Sequence, residues 1–149
     1  MINTEPTKLQ KLETKIDKLE SEWEETILQI NILSSEYDAN DKNMLQNEND
    51  MNYFELNAEE HWTEYKDTIK IKWKRIHLRE FEQNCQRILN LMNDQSRLLK
   101  TQDFIQEQLN DLENKQNRLD ARIDVLTNQL VEMNGKNHHN ANDETLPPR

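Results

Sequence analysis

The 149-residue sequence has one glycine, Gly135, and three prolines, Pro6, Pro147 and Pro148. Between Thr7 and Asn134 it has neither. A compact fold of many short elements uses such residues at its turns, so their absence argues against one. There is a single cysteine, Cys85, which rules out an intramolecular disulfide and is read as an inert packing residue. No apolar run approaches the roughly 18 residues of a membrane-spanning helix, so no membrane insertion is expected. The opening "MINTEPTKLQKLETK" lacks the apolar core of a signal peptide, so the protein is not expected to be secreted.

Catalytic chemistry is equally short of material. One glycine excludes a glycine-rich phosphate-cradling loop. No Cys and His set has zinc spacing, and the adjacent His138 and His139 lack further ligands, so no metal is expected. No Ser, His and Asp arrangement suggests a nucleophile. The many Glu residues read as solvated charge on helices and not as tuned acids. A non-enzyme without cofactors is the expectation.

What the sequence does have is period. Hydrophobic residues make up 34% and charged residues 32%, a balance that suits long helices with a narrow apolar stripe. Counting in sevens from Leu9 gives Ile16, Trp23, Ile30, Tyr37, Met44, Met51, Ala58 and Tyr65. Three residues on, Leu12, Leu19, Thr26 and Leu33 begin a row that then turns mixed, through Asn40, Asn47 and Phe54. A second register starts at Phe81. One of its rows is Ile88, Gln95, Gln102, Leu109, Gln116, Ile123 and Leu130. The other is Leu91, Leu98, Ile105, Leu112, Leu119, Leu126 and Met133, apolar at seven consecutive positions. Apolar residues alternating at three and four make a seam that another helix covers. The repeated Gln either fixes register through buried polar pairs or marks a partly covered seam. The predicted class is all-α, an elongated coiled coil of one or two long helices or a helical hairpin.

The expected oligomer seam therefore runs through Leu9, Leu12, Ile16, Leu19, Trp23, Ile30 and Leu33. It resumes through Leu91, Leu98, Ile105, Leu112, Leu119, Ile123, Leu126, Leu130 and Met133. The predicted segments are a disordered start at 1–7, with Thr4 or Thr7 as helix cap, and an acidic heptad helix at 8–37. An Asn/Asp-rich weak point or turn follows at 38–52, then an aromatic and basic junction helix at 53–80 and a second heptad helix at 81–133. A disordered tail occupies 134–149, with Asn134 and Gly135 as the helix stop. A turn near Asp38–Lys42 would make an antiparallel hairpin; without it the chain is one rod.

Charge singles out the junction. Residues 1–64 hold 16 acidic and 5 basic residues. Residues 65–79 reverse the sign, with Lys66, Lys70, Lys72, Lys74, Arg75 and Arg79 against Asp67. Tyr65 and Phe81 are sixteen residues apart, two heptads plus two, so the registers do not join. Between them Trp62, Tyr65, Ile69, Trp73 and Ile76 are spaced three, four, four and three apart. This reads as an eleven-residue repeat that rotates the seam, with these aromatics and aliphatics packed and the cations outward. A partner-selecting surface that meets an acidic helix is the first reading, such as Glu13–Glu25 of another copy. A plain solvated face is the bland alternative, and nucleic-acid binding through the 66–79 patch is not expected, because the acidic helix before it would be repelled by DNA.

The stretch Trp62-Thr63-Glu64-Tyr65-Lys66-Asp67-Thr68-Ile69 resembles the aromatic-Thr-x-Tyr-x-x-Thr-aliphatic stretch of a synaptonemal-complex central-element coiled-coil protein. Residues 10–133 are collinear with that family's helical N-terminal region, with identity at about eight positions. The family's long C-terminal extension has no counterpart in this sequence, so the partner set is not carried over. Gln116–Met133 is similar to the coiled-coil region of the channel nucleoporins, over eighteen residues and without FG repeats. The first resemblance implies a structural subunit tethering meiotic chromosome axes in the nucleus. The alternative expectation is a subunit or adaptor of another coiled-coil complex, at the nuclear pore, in tethering or in the cytoskeleton, with a cytoplasmic location if not nuclear. In either case the expected partners are coiled-coil proteins or further copies of the chain.

Overall fold

The computed structural model describes the backbone of residues 7–145 and the side chains of residues 7–135. Two helices account for almost all of it, α1 at Lys8–Asp67 and α2 at Ile71–Thr145. They pack against each other as an all-α helical hairpin. The start of α1 is a reciprocal capping box. Thr7 N–H donates to Gln10 Oε1 at 2.9 Å, and Gln10 N–H donates to Thr7 Oγ1 at 3.2 Å. Two orphan donors of the first turn are thereby satisfied.

The turn is not at 38–52, where Asn and Asp are concentrated. α1 runs through that segment unbroken, and the chain reverses at Thr68–Lys70. Propensity differences there are only about 0.5 kcal/mol per residue. They are outweighed because Tyr37, Asn40, Met44, Asn47 and Met51 keep the heptad and are all buried or half-buried. Thr68 is the last residue on the α1 row, and Thr68 and Ile69 are β-branched, which lowers the cost of leaving the helix. The last bond of α1 is Thr68 N–H to Glu64 O at 2.9 Å, and α2 opens with Lys74 N–H to Lys70 O at 3.0 Å. No described residue has positive φ, so the reversal uses backbone conformations open to Thr, Ile and Lys. A connection of a few residues is usual between antiparallel helices.

α2 also passes through Asn134 and Gly135 to Thr145 without the expected stop. A glycine cap requires left-handed backbone, and Gly135 does not adopt it. A glycine inside a helix costs only about 1 kcal/mol relative to alanine. Residues 1–6 and 146–149, and the side chains of the expected tail including His138 and His139, lie outside what is described.

The hairpin divides into two compact units, Met1–Ile32 with Leu109–Arg149, and Leu33–Gln108. In the first, Ile16, Leu109, Leu119 and Leu126 are the buried apolar residues, with Leu126 only 3% exposed. Trp23 lies beside Asp120 and Ile123 in one groove, which shows the antiparallel pairing. Thr26 is buried, and its hydroxyl donates to Glu22 O at 2.7 Å within its own helix.

The second unit has a more polar interior. Ala58 and Ile105 are buried together with Asn40, Asn84 and Gln102. Asn40 Nδ2 donates to Gln102 Oε1 at 2.7 Å and to Leu98 O at 2.9 Å. Buried polar groups are tolerable only when paired in this way. Asn40→Leu alone is expected to cost about 1–3 kcal/mol, because it strands Gln102. The double variant Asn40→Leu with Gln102→Leu should recover most of that in thermal melts. Equal losses in both would contradict the pairing.

Candidate functional site

Each of the sixteen seam positions, from Leu9 to Leu33 and from Leu91 to Met133, is buried or half-buried. The helix that covers each row belongs to the same chain. The rows expected to bury against another molecule lie in the contact between α1 and α2, because the three-residue turn folds one onto the other. The same counting continues to Thr68 on α1, and back to Lys74 and His77 on α2. The two-residue offset between the registers is therefore a chain reversal and not an eleven-residue repeat.

That reversal redistributes the junction. Trp62 is 40% exposed, Trp73 49% and Ile69 92%, and Ile76 is exposed as well. They do not form one packed side, since Trp62 and Tyr65 belong to α1 while Trp73 and Ile76 belong to α2. Tyr65 is half-buried, stacked on Trp62 with centroids 5.3 Å apart, and Trp62 reaches Phe81 at 5.1 Å. The Lys74 ammonium lies 5.2 Å from the Tyr65 ring centre, a cation–π contact. Lys66, Lys70, Lys72, Arg75 and Arg79 are exposed, and none is ion-paired among the described residues.

Beneath these sits a histidine pair that sequence reasoning missed. His61 and His77 approach Nδ1 to Nδ1 at 3.0 Å, so one ring donates and the other accepts. His77 Nε2 lies 2.9 Å from Glu64 Oε2. With neutral rings, that carboxylate fixes the His77 proton on Nε2. His77 Nδ1 is then the acceptor and His61 the donor. The available signal was register: His61 lies on the α1 row, and His77 is seven residues before Asn84 on the α2 row. Further along unit 2, Arg87 stands over the Phe54 ring at 5.4 Å and donates to Asn84 Oδ1 at 3.3 Å. Arg97 pairs with Asp94 on the surface.

Outside the seam a second apolar set remains uncovered. On α1 it comprises Leu28, Ile32, Leu45, Tyr53 and Leu56, and on α2 Leu89, Met92, Leu99, Phe104, Val125 and Val131, each 48% exposed or more. Leu89, Met92 and Leu99 are three and seven apart and so share one helix face. Cys85, expected to be packed, is exposed near the same face. Among the described residues no group of three or more His, Cys, Asp or Glu side chains is arranged to hold a metal ion. No helix there is long and apolar enough to cross a membrane. Comparison of the chain with protein families, curated proteins and solved structures finds no match.

Proposed function

We propose that this chain is a non-enzymatic coiled-coil assembly subunit whose hairpin presents its outer helical faces to helical partners or to further copies of itself. One observation carries the reading. The heptad rows are already covered within the chain, yet Leu89, Met92 and Leu99 form a further apolar row on the outside of α2. Scattered exposed apolar residues need no explanation, but a row at helical spacing is what a partner helix reads.

The setting we propose is the nucleus, in an assembly that tethers meiotic chromosome axes. Its support is the likeness of Trp62–Ile69 to the central-element stretch described above. The same faces would serve an adaptor of a pore, tethering or cytoskeletal complex.

Light scattering tests the assembly reading. The parent should exceed the monomer mass, and Leu89→Asp with Met92→Asp and Leu99→Asp should return it to monomer with helicity unchanged. A parent that is monomeric and recovers no helical partner by cross-linking in cells would overturn it. Recovery of chromosome-axis proteins supports the meiotic setting, whereas recovery of vesicle, pore or cytoskeletal components redirects it.

A further inference from the structure

The turn end of the Leu33–Gln108 unit combines two properties. Ile69 and Ile71 are 92% and 69% exposed, the highest values among the exposed large apolar residues described, and Trp73 beside them is 49% exposed. Around them the cations Lys66, Lys70, Lys72 and Arg75 are exposed, with no carboxylate of the described residues within 4.0 Å. α2 also begins here without an acidic residue in its first turn. The last turn of α1 ends here too, and its free carbonyls oppose the N–H groups of α2, while Glu64 and Asp67 line one groove with Trp73 and His77, so the positive potential of the turn rests on the excess of Lys and Arg side chains.

We propose that this turn is a peripheral docking site for an anionic lipid surface. Ile69, Ile71 and Trp73 enter the interfacial layer, and Lys70, Lys72 and Arg75 meet the headgroup phosphates and carboxylates. Three observations favour a bilayer over a protein or a nucleic acid. The apolar residues sit at the turn of the hairpin, far out from the helix contact, where a bilayer can accept them without a preformed cavity, whereas a protein partner would have to supply one. Trp and Lys together are the side chains that partition to a lipid interface near anionic headgroups. A nucleic-acid backbone would use the cations but would leave Ile69 and Ile71 in water.

The pose follows from charge. Residues 33–64 of α1 carry nine acidic residues and one basic residue. An anionic surface repels that flank, so contact is made by the turn and not by the side of the helices. No described helix is long and apolar enough to cross a membrane, and none need be for such contact.

The full-length chain is sedimented at low salt with vesicles of phosphatidylcholine alone, or with about one-third phosphatidylserine. Binding is expected only to the anionic vesicles, with a blue shift of tryptophan emission that Trp73→Phe removes. Ile69→Asp with Ile71→Asp lies on exposed positions and should leave the helical signal unchanged, while weakening vesicle binding by about tenfold or more. The proposal is overturned if the parent ignores anionic vesicles, or if the double variant binds them as well as the parent. It is also overturned if polyglutamate or duplex DNA, and not the vesicles, binds the parent and the double variant equally. These outcomes do not depend on the oligomer mass, so the docking site and the assembly reading fail separately.

Discussion

Leu126→Asp is expected to open the unit formed by the two chain ends. Leu126 is 3% exposed and is the most buried apolar side chain described. Removing a leucine of this kind from a packed core costs about 2–5 kcal/mol. Placing a carboxylate in the same space adds a desolvation cost that no cation there offsets. Lys and Arg are absent from the covered rows of that unit, which comprise Ile16, Leu19, Trp23 and Leu119 with their neighbours. A total above about 4 kcal/mol is a large part of the stability of a small domain. The measurement is circular dichroism at 222 nm, where a lower melting temperature or an added low-temperature transition is expected. Val125→Asp, one residue away and 48% exposed, is the control and should change little. If the two variants behave alike, the seam as described is wrong.

The second large effect concerns where the chain turns. Asn43→Pro places a proline inside α1, where it removes a backbone bond and clashes with the carbonyl four residues earlier. The expected cost is about 3 kcal/mol or more. Asn43 is exposed, so lost side-chain packing cannot account for such a loss. Ile71→Pro falls at the first position of α2, where proline is favoured and the missing N–H has no helical partner. It should be close to neutral in thermal and urea melts. The opposite pattern, with tolerance at 43 and loss at 71, would put the turn back in the Asn/Asp-rich segment.

The seam was legible because heptad period survives poor helix formers. Asn40 and Asn47 weaken the α1 row, yet Tyr37, Met44 and Met51 hold its phase. The turn was hidden for the same reason. Composition put the weakness at 38–52, but tertiary packing overrides propensity there. At 68–70 no glycine or proline marks the reversal, and the only trace was two residues left over between registers. The exposed Trp73 and Ile69 were misplaced because a three-and-four spacing implies a shared face only within one continuous helix. Asn40 facing Gln102 required knowing the turn, since the pairing follows only once the chain is folded back at Thr68–Lys70. The resemblance of Trp62–Ile69 to a central-element protein bears on setting and partners, which no physical feature of the hairpin determines.

The position of the turn has a consequence for synthesis. α1 is complete at Asp67, and its covering helix is the following 75-residue α2. At translation rates of about 5–20 residues per second, that helix takes roughly 4–15 s to emerge. The part of the α1 row nearest the turn is covered first, and the rest stays bare until the matching part of α2 has emerged. A row of unbroken leucine would be a ready target for chaperones or for neighbouring nascent chains. The asparagines at positions 40 and 47 interrupt it, and the acidic flanks repel copies of the same segment. The asparagines that lie inside the finished hairpin thus also dilute the apolar row that a half-made chain exposes.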